Sequence, residues 1–188
     1  MQHARLTYVS YEDYLAYEQR SDDKHEYVAG QIYAMVGTTD RHNVIAGNIY
    51  VALRAQLRGG PCRVFMSDVK VRIEVANASY YPDVFVTCDG RDLDPYVKRY
   101  PCMVVEVLSP STEGTDRREK LLNYRQLDSL QEYVLVDSDR RRIEVYRREA
   151  DGGWAVDTLS GDEALELKSV AVALPLAEVY AEVSVGWE

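Results

Sequence analysis

Two acidic residues stand where the hydrophobic pattern has no place for them. Asp83 falls in the run PDVFV and Glu106 in the run MVVEVL. A continuous apolar run bounded by Pro and Ser reads as a buried central strand. Charged side chains are almost never fully buried unless paired, and a lone carboxylate in an apolar layer costs on the order of several kcal/mol. Glu106 therefore needs a partner. A metal ion shared with Asp83, together with a nearby lysine, meets that need, and Lys120 lies on the next expected helix. Two carboxylates and a lysine around a divalent cation are the equipment for phosphodiester hydrolysis.

Residues two apart on a strand share a face, so Glu106 lies with Val104 and Leu108 toward the strand's carboxyl end. Open α/β sheets place ligands at that end. If the PDVFV strand pairs beside it, Asp83 and Glu106 come within a metal-ligand span. Magnesium takes oxygen ligands and keeps several waters, so two carboxylates and a backbone carbonyl suffice. On the following helix Asp116, Lys120 and Tyr124 recur at i, i+4 and i+8 and stack on one face. A lysine there, aimed at the strand end, would neutralise charge on a phosphate or orient the attacking water. The plainer alternative is a helix ion pair between Asp116 and Lys120, which contributes little.

The elements that must hold these residues follow from pattern. Ser10 caps a helix over about Tyr11 to Gln19, with Asp13 placed as in a capping box. HEYVAGQIYAMVG reads as two strands turning at Ala29-Gly30. Thr38, Thr39 and Asp40 offer caps for a helix over about Arg41 to Leu57. Its apolar stripe is Ile45, Ile49, Ala52, Leu53 and Leu57, with His42 on the same face. Gly59-Gly60-Pro61 stops it. Within CRVFMSDVKVRIEVA the alternation of Val69, Val71, Ile73 and Val75 with Lys70, Arg72 and Glu74 reads as a half-buried strand, YPDVFVTCD as a further main strand, and Gly90 to Tyr100 as a charged, exposed loop. After MVVEVL, Thr115 or Asp116 caps a helix through about Gln126. EYVLVD and RRIEVYRR form a hairpin, WAVDTLS a weaker final strand, and LPLAEVYAEV a short closing helix. Strands flanked by a few helices, without repeats or linkers, predict an α/β fold with a mixed central sheet.

The totals narrow the classes. The chain has 188 residues, 46% of them hydrophobic, which suits one compact domain. It contains no apolar run long enough to cross a bilayer, and MQHARLTYVSYEDYL lacks the apolar stretch of a secretory leader, so no membrane association and a cytoplasmic location are expected. The three cysteines, Cys62, Cys88 and Cys102, form an odd set without a CxxC pair, which argues against a disulfide scaffold or structural zinc and fits a reducing compartment. A net charge of −9 argues against non-specific coating of nucleic acid but not against a nuclease, since part of the excess would be metal ligands. Arg140, Arg141, Arg142, Arg147 and Arg148 form a basic cluster, read first as a solvated hairpin surface and second as a phosphate contact.

The combined string PDVFVTCD … VVEVLSPST … DRREKLLNYR … EYVLVD resembles the Uma-two family of restriction-endonuclease-like proteins, within the PD-(D/E)xK nuclease superfamily. The resemblance extends upstream through HEYVAGQIYAM and the helix that carries His42, so it covers most of the chain. It implies one restriction-endonuclease-like domain over residues 1–188 with a magnesium site that manganese can also fill. Asp83 stands at the family's PD position and Glu106 at its (D/E) position. The superfamily pattern wants lysine two residues after the acid, where this chain has Leu108; the resemblance puts that lysine on the helix, at Lys120. Glu26 matches an upstream acidic position that helps hold the metal; otherwise it reads as a surface charge on an edge hairpin. His42 resembles a recurrent family position, although a single His on an apolar helix face is more often a hydrogen-bonded core residue. Lys70 is the alternative catalytic lysine and by default an exposed strand residue.

The resulting expectation is a magnesium-dependent endonuclease acting on DNA, with Asp83, Glu106 and Lys120 catalytic and Asp83, Glu106 and Glu26 holding the metal. The alternative is a catalytically inactive member of the same fold that serves as a binding module or homodimer, motivated by the absent ExK spacing and the acidic balance. Fifteen tyrosines suit an aromatic-rich dimer interface. Acid/base hydrolysis of a sugar by the paired carboxylates is a remote third class.

Overall fold

The computed structural model describes residues 8–184. Ser10 caps helix α1, Tyr11–Glu18, by accepting from the Asp13 amide at 3.1 Å. The first strands are β1, His25–Val28, and β2, Gln31–Ala34. They turn at Ala29 and Gly30, whose φ values of 47° and 87° match the twist of a tight hairpin. Thr39 caps α2, Asp40–Gln56. Strands β3, Arg63–Met66, β4, Lys70–Ile73, β5, Ala78–Tyr80, β6, Val84–Thr87, and β7, Val97–Lys98, precede the long strand β8, Pro101–Leu108. A helical stretch of three consecutive pieces follows: α3, Glu113–Thr115, a π-helical turn, Asp116–Lys120, and α4, Leu121–Tyr124. Strands β9, Glu132–Asp137, β10, Arg142–Arg148, β11, Trp154–Ser160, β12, Ala164–Leu167, and β13, Val172–Pro175, lead to α5, Leu176–Val179.

The central sheet is mixed and has the order β11-β10-β9-β8-β6-β3. Its one parallel pair, β8 with β9, is joined by the helical stretch, because a parallel connection needs a crossover. A second mixed sheet has the order β2-β1-β5-β4-β7, and β12 and β13 form a separate hairpin. The expected α/β class with a mixed sheet flanked by helices is the one observed.

Alternation along β8 assigns the two faces. Met103, Val105 and Val107 point to α2, where Ile45, Ala46, Ile49 and Leu53 pack with residues of β6, β9, β10 and the C-terminal hairpin. Val104 and Leu108 point to the opposite side, into a second cluster with Ile73 and Tyr80 of the second sheet and Leu121 and Tyr124 of the helical stretch. Glu106 shares that second face, between two sheets and a helix.

Several boundaries differ from the sequence pattern. CRVFMSDVKVRIEVA holds two strands, since Ser67, at φ 51°, separates β3 from β4, and these join different sheets. All four residues of β4 are buried, because the strand is covered on both faces. Pro82 likewise separates β5 from β6. The expected exposed loop of residues 90–100 contains β7, with Val97 and Lys98 buried. The β12–β13 hairpin was not anticipated, and it takes part of the space expected for a longer closing helix. Arg147 and Arg148 are not a solvated surface: Arg147 pairs with buried Glu132 at 3.0 Å, and Arg148 donates to the carbonyls of Leu130, Arg125 and Leu127. A disulfide joins Cys62 to Cys88, against the reading of the cysteines as unpaired. No helix among the described residues is long and apolar enough to cross a membrane. The reading of the first residues as leaderless lies partly outside the described residues.

Ile49 is fully buried, whereas Val51 on the same helix is 65% exposed. Ile49→Ala should lose about 2–5 kcal/mol in urea denaturation, from lost burial plus a residual cavity. Val51→Ala should change stability by less than about 0.5 kcal/mol.

Candidate active site

The site forms where β6 begins and β8 ends. These strands are antiparallel, with Val84 opposite Val105, so Asp83, one residue before β6, comes level with Glu106. The Asp83 amide donates to Glu106 Oε2 at 3.3 Å. The Asp83 carboxylate turns along β8 and accepts the Val107 amide on Oδ2 at 2.7 Å. Its other oxygen, Oδ1, lies 2.9 Å from His42 Nε2, at the start of α2. Asp83 and His42 therefore hold each other, and α2 reaches the site through its first turn.

Lys120 comes from the helical stretch. The Leu121 amide reaches back five residues to the Asp116 carbonyl, which also accepts the Tyr133 hydroxyl at 3.0 Å. That widened turn is a local departure often found where helices serve a site. It sets Asp116, Lys120 and Tyr124 on the face toward Glu106. Lys120 Nζ lies 3.0 Å from Glu26 Oε1, 3.2 Å from Asp116 Oδ1 and 3.4 Å from Glu106 Oε1. The Tyr124 hydroxyl donates to Glu106 Oε1 at 3.4 Å. Glu26, from β1 in the second sheet, also accepts the Tyr81 amide at 3.4 Å. Glu106 is only 3% exposed and Lys120 6%, while the Asp83 side chain keeps 21% of its surface open. A cleft of about 220 Å3 lined by His42, Asp83, Glu106, Asp116 and Lys120 opens this group to solvent past Met35 and Ser109.

Burial is the leading electrostatic effect. It pushes the Glu106 carboxyl well above its ordinary value; Lys120 opposes the rise, and Asp116, Asp83 and Glu26 add to it. Burial raises Glu26 too, with Lys120 again opposing. For Lys120 burial acts against the charge, but Glu106, Glu26 and Asp116 more than compensate and hold its pKa well above the usual lysine value. Three carboxylates, those of Glu106, Glu26 and Asp116, thus face one ammonium, with Asp83 beside Glu106, an acidic excess that a hard divalent cation would offset. Oxygen donors of this kind suit magnesium, which needs only one or two carboxylates and fills its remaining positions with water. Asp116 Oδ1 is buried without a hydrogen bond despite its closeness to Nζ, and His42 Nδ1 is also unpartnered. Among the described residues no three acidic, His or Cys side chains form a ready cage for a metal. A divalent ion in the cleft would take its protein oxygens from Asp83 and Glu106 and fill its other positions with water; Glu26, expected as a third ligand, is instead paired with Lys120.

Of the residues singled out in the sequence, Asp83, Glu106, Lys120, Glu26, His42, Asp116 and Tyr124 come together here. Lys70 does not join them. It is buried rather than exposed, with its ammonium 4.9 Å from the centre of the Tyr81 ring, and burial lowers its pKa. β4 is an interior strand of the second sheet, which explains the burial. The Val107 amide that orients Asp83 carries no signal in sequence, because any residue type except proline supplies it.

Replacing Lys120 by methionine leaves the surrounding carboxylates without their counter-charge. Lys120→Met should cost about 3–5 kcal/mol at neutral pH. The raised Glu106 and Glu26 bind protons more tightly in the fold than in the unfolded chain, so they favour the fold at low pH. That contribution is lost as pH rises from the ordinary carboxylate range through their raised values. Without the ammonium they rise further, so the loss in Lys120→Met should be smaller at about pH 5 than at about pH 8. Urea denaturation at the two pH values checks this; an equal loss at both would show that Lys120 is not what offsets the acids.

The chain is similar to several known proteins. The family model Uma2, described as "Putative restriction endonuclease", matches residues 11–177. An uncharacterized protein of Synechocystis sp., slr1290, is 41% identical over 173 residues, covering 92% of this chain and 91% of its own. A second protein of that organism, sll1609, is 30% identical over 155 residues, covering 81% and 88%. A crystal structure from Anabaena variabilis, described as "a putative nuclease belonging to DUF820", superposes with a TM-score of 0.77 at 17% identity over 92% of this chain and 98% of its own; it shares the fold. By the extent of the family match and the identity to these relatives, the chain belongs to the Uma2 family.

Proposed function

We propose that this protein is a magnesium-dependent endonuclease that hydrolyses phosphodiester bonds in DNA, with manganese able to replace magnesium. The observation that carries the reading is the meeting of Asp83, Glu106 and Lys120, from two strands and a helix, in one cleft at a strand end. Family membership as a restriction-endonuclease-like protein supports it. Asp83 and Glu106 would hold the ion, which would lower the pKa of a bound water and neutralise charge on the phosphate. His42 and the Val107 amide orient Asp83. Tyr124 and Lys120 orient Glu106 through Oε1. Glu26 and Asp116 keep Lys120 charged and in place, where its ammonium can offset negative charge on the phosphate or orient the attacking water.

Purified protein should nick or cut plasmid DNA with magnesium and stop when the ion is chelated. Asp83→Asn, Glu106→Gln and Lys120→Ala should each lower the rate by at least about 100-fold. His42→Ala, which frees Asp83 without removing it, should cost about 10–100-fold. Cleavage at full rate by Glu106→Gln would reject these roles.

A second reading has its own observation. The Lys120 ammonium already sits among Glu106, Glu26 and Asp116. Glu106 is therefore compensated without any metal, as suits an inactive nuclease fold kept as a binding module or homodimer. It predicts no cleavage, no magnesium heat in calorimetry, and a dimer mass in sedimentation. Magnesium binding that disappears in Asp83→Asn would exclude it.

A further inference from the structure

At the far end of the same strands lies a second group of reactive side chains. Arg63 of β3 is opposite Thr87 of β6, and the next residues outward, Cys62 and Cys88, are joined as a disulfide. Cys102, the second residue of β8, lies on the other side of β6, with its Sγ 3.7 Å from Cys88 Sγ. It is a free thiol, donating to the Val86 carbonyl at 3.4 Å. One sulfur from each of three neighbouring chain segments thus forms a row, with the shared Cys88 in the middle. All three are half-buried at the edge of the main core, and Cys88 and Cys102 face an open cavity of about 610 Å3. The functional reading above uses none of them.

A thiol in van der Waals contact with one sulfur of a disulfide is placed for exchange. We propose that Cys62, Cys88 and Cys102 form a thiol–disulfide exchange site in which the covalent link alternates between Cys62–Cys88 and Cys88–Cys102. The Cys102 thiolate attacks Cys88 Sγ, the Cys88–Cys102 bond forms and the Cys62–Cys88 bond breaks. Cys62 leaves as the thiolate and takes up the proton that Cys102 gave to solvent. The step is an isomerisation with no net oxidation or reduction.

The link matters because of what each cysteine anchors. Cys62 follows the end of α2, which carries His42; Cys88 follows β6, which begins after Asp83; Cys102 opens β8, which carries Glu106. One pairing tethers the α2 connection to the sheet, and the other ties the two acid-bearing strands to each other. Burial pushes the Cys102 thiol up to about 11, so little of it is thiolate and exchange is slow at neutral pH.

The test uses the full chain under non-reducing conditions. The oxidised protein is held at about pH 9 with iodoacetamide, then digested and its sulfurs mapped by mass spectrometry. Exchange predicts alkylated Cys62 together with a Cys88–Cys102 linked peptide, and no alkylated Cys62 in Cys102→Ser. Label on Cys102 alone with Cys62–Cys88 intact, or no Cys62 label over the same period, overturns the proposal. A second variant checks the geometry directly. In Cys62→Ser, oxidised glutathione should drive formation of Cys88–Cys102, and two thiols that remain open to alkylation would overturn it.

Discussion

A buried ammonium among carboxylates is the constraint on which the rest of this structure depends. Glu106 sits on a strand that is otherwise apolar, on a face closed by a second sheet and a helix. A carboxylate there is tolerated only if charge and hydrogen bonds reach it from outside the strand. Lys120 brings the charge, and Tyr124 and the Asp83 amide bring the bonds. The ammonium is itself buried and needs Glu26 and Asp116, so the requirement spreads to β1 and to the helical stretch. Groups from both sheets and the helix must be in register at once. Such an arrangement is poor at adding stability, since well-packed apolar residues often do as well or better.

Strand direction does the rest of the positioning. Because β6 runs antiparallel to β8, an acid just before one strand meets an acid near the end of the other. Pro82 ends β5 and its missing donor is tolerated at the entry to β6. Asp83 is then not free to rotate, since the Val107 amide and His42 hold its two oxygens. Asp83 keeps the largest open surface of the acid pair and faces the cleft. Glu106 lies deeper, closer to the lysine. The same two carboxyl groups thus have unlike surroundings, one near solvent and one in the apolar layer.

The two ends of the sheet are chemically distinct. One end gathers carboxylates and a lysine. The other gathers three sulfurs on the same elements, α2 through its connection, β6 and β8. The strands between are apolar and tightly packed, so a covalent change at one end and the carboxylates at the other act on the same rigid members.

Much of the site was legible in the chain itself, for a definite reason. An acid inside an apolar run is an energetic anomaly, and Glu106 in MVVEVL announces it with no knowledge of the fold. The i, i+4, i+8 spacing of Asp116, Lys120 and Tyr124 likewise marks one face of a helix, although the widened turn from Asp116 to Lys120 has no such mark. Hairpin and cap residues were equally readable, because Ala29-Gly30, Ser10 and Thr39 act through their own backbones and side chains. What lay beyond the sequence was everything that depends on a distant neighbour. Pattern alone could not tell that Lys70 is buried, because alternation looks the same whether the polar face meets water or a second sheet. His42 reaches Asp83 only because α2 crosses the start of β6, and Cys62 meets Cys88 only because β3 pairs with β6. Periodicity reports which face a residue shares; tertiary packing alone decides what that face touches.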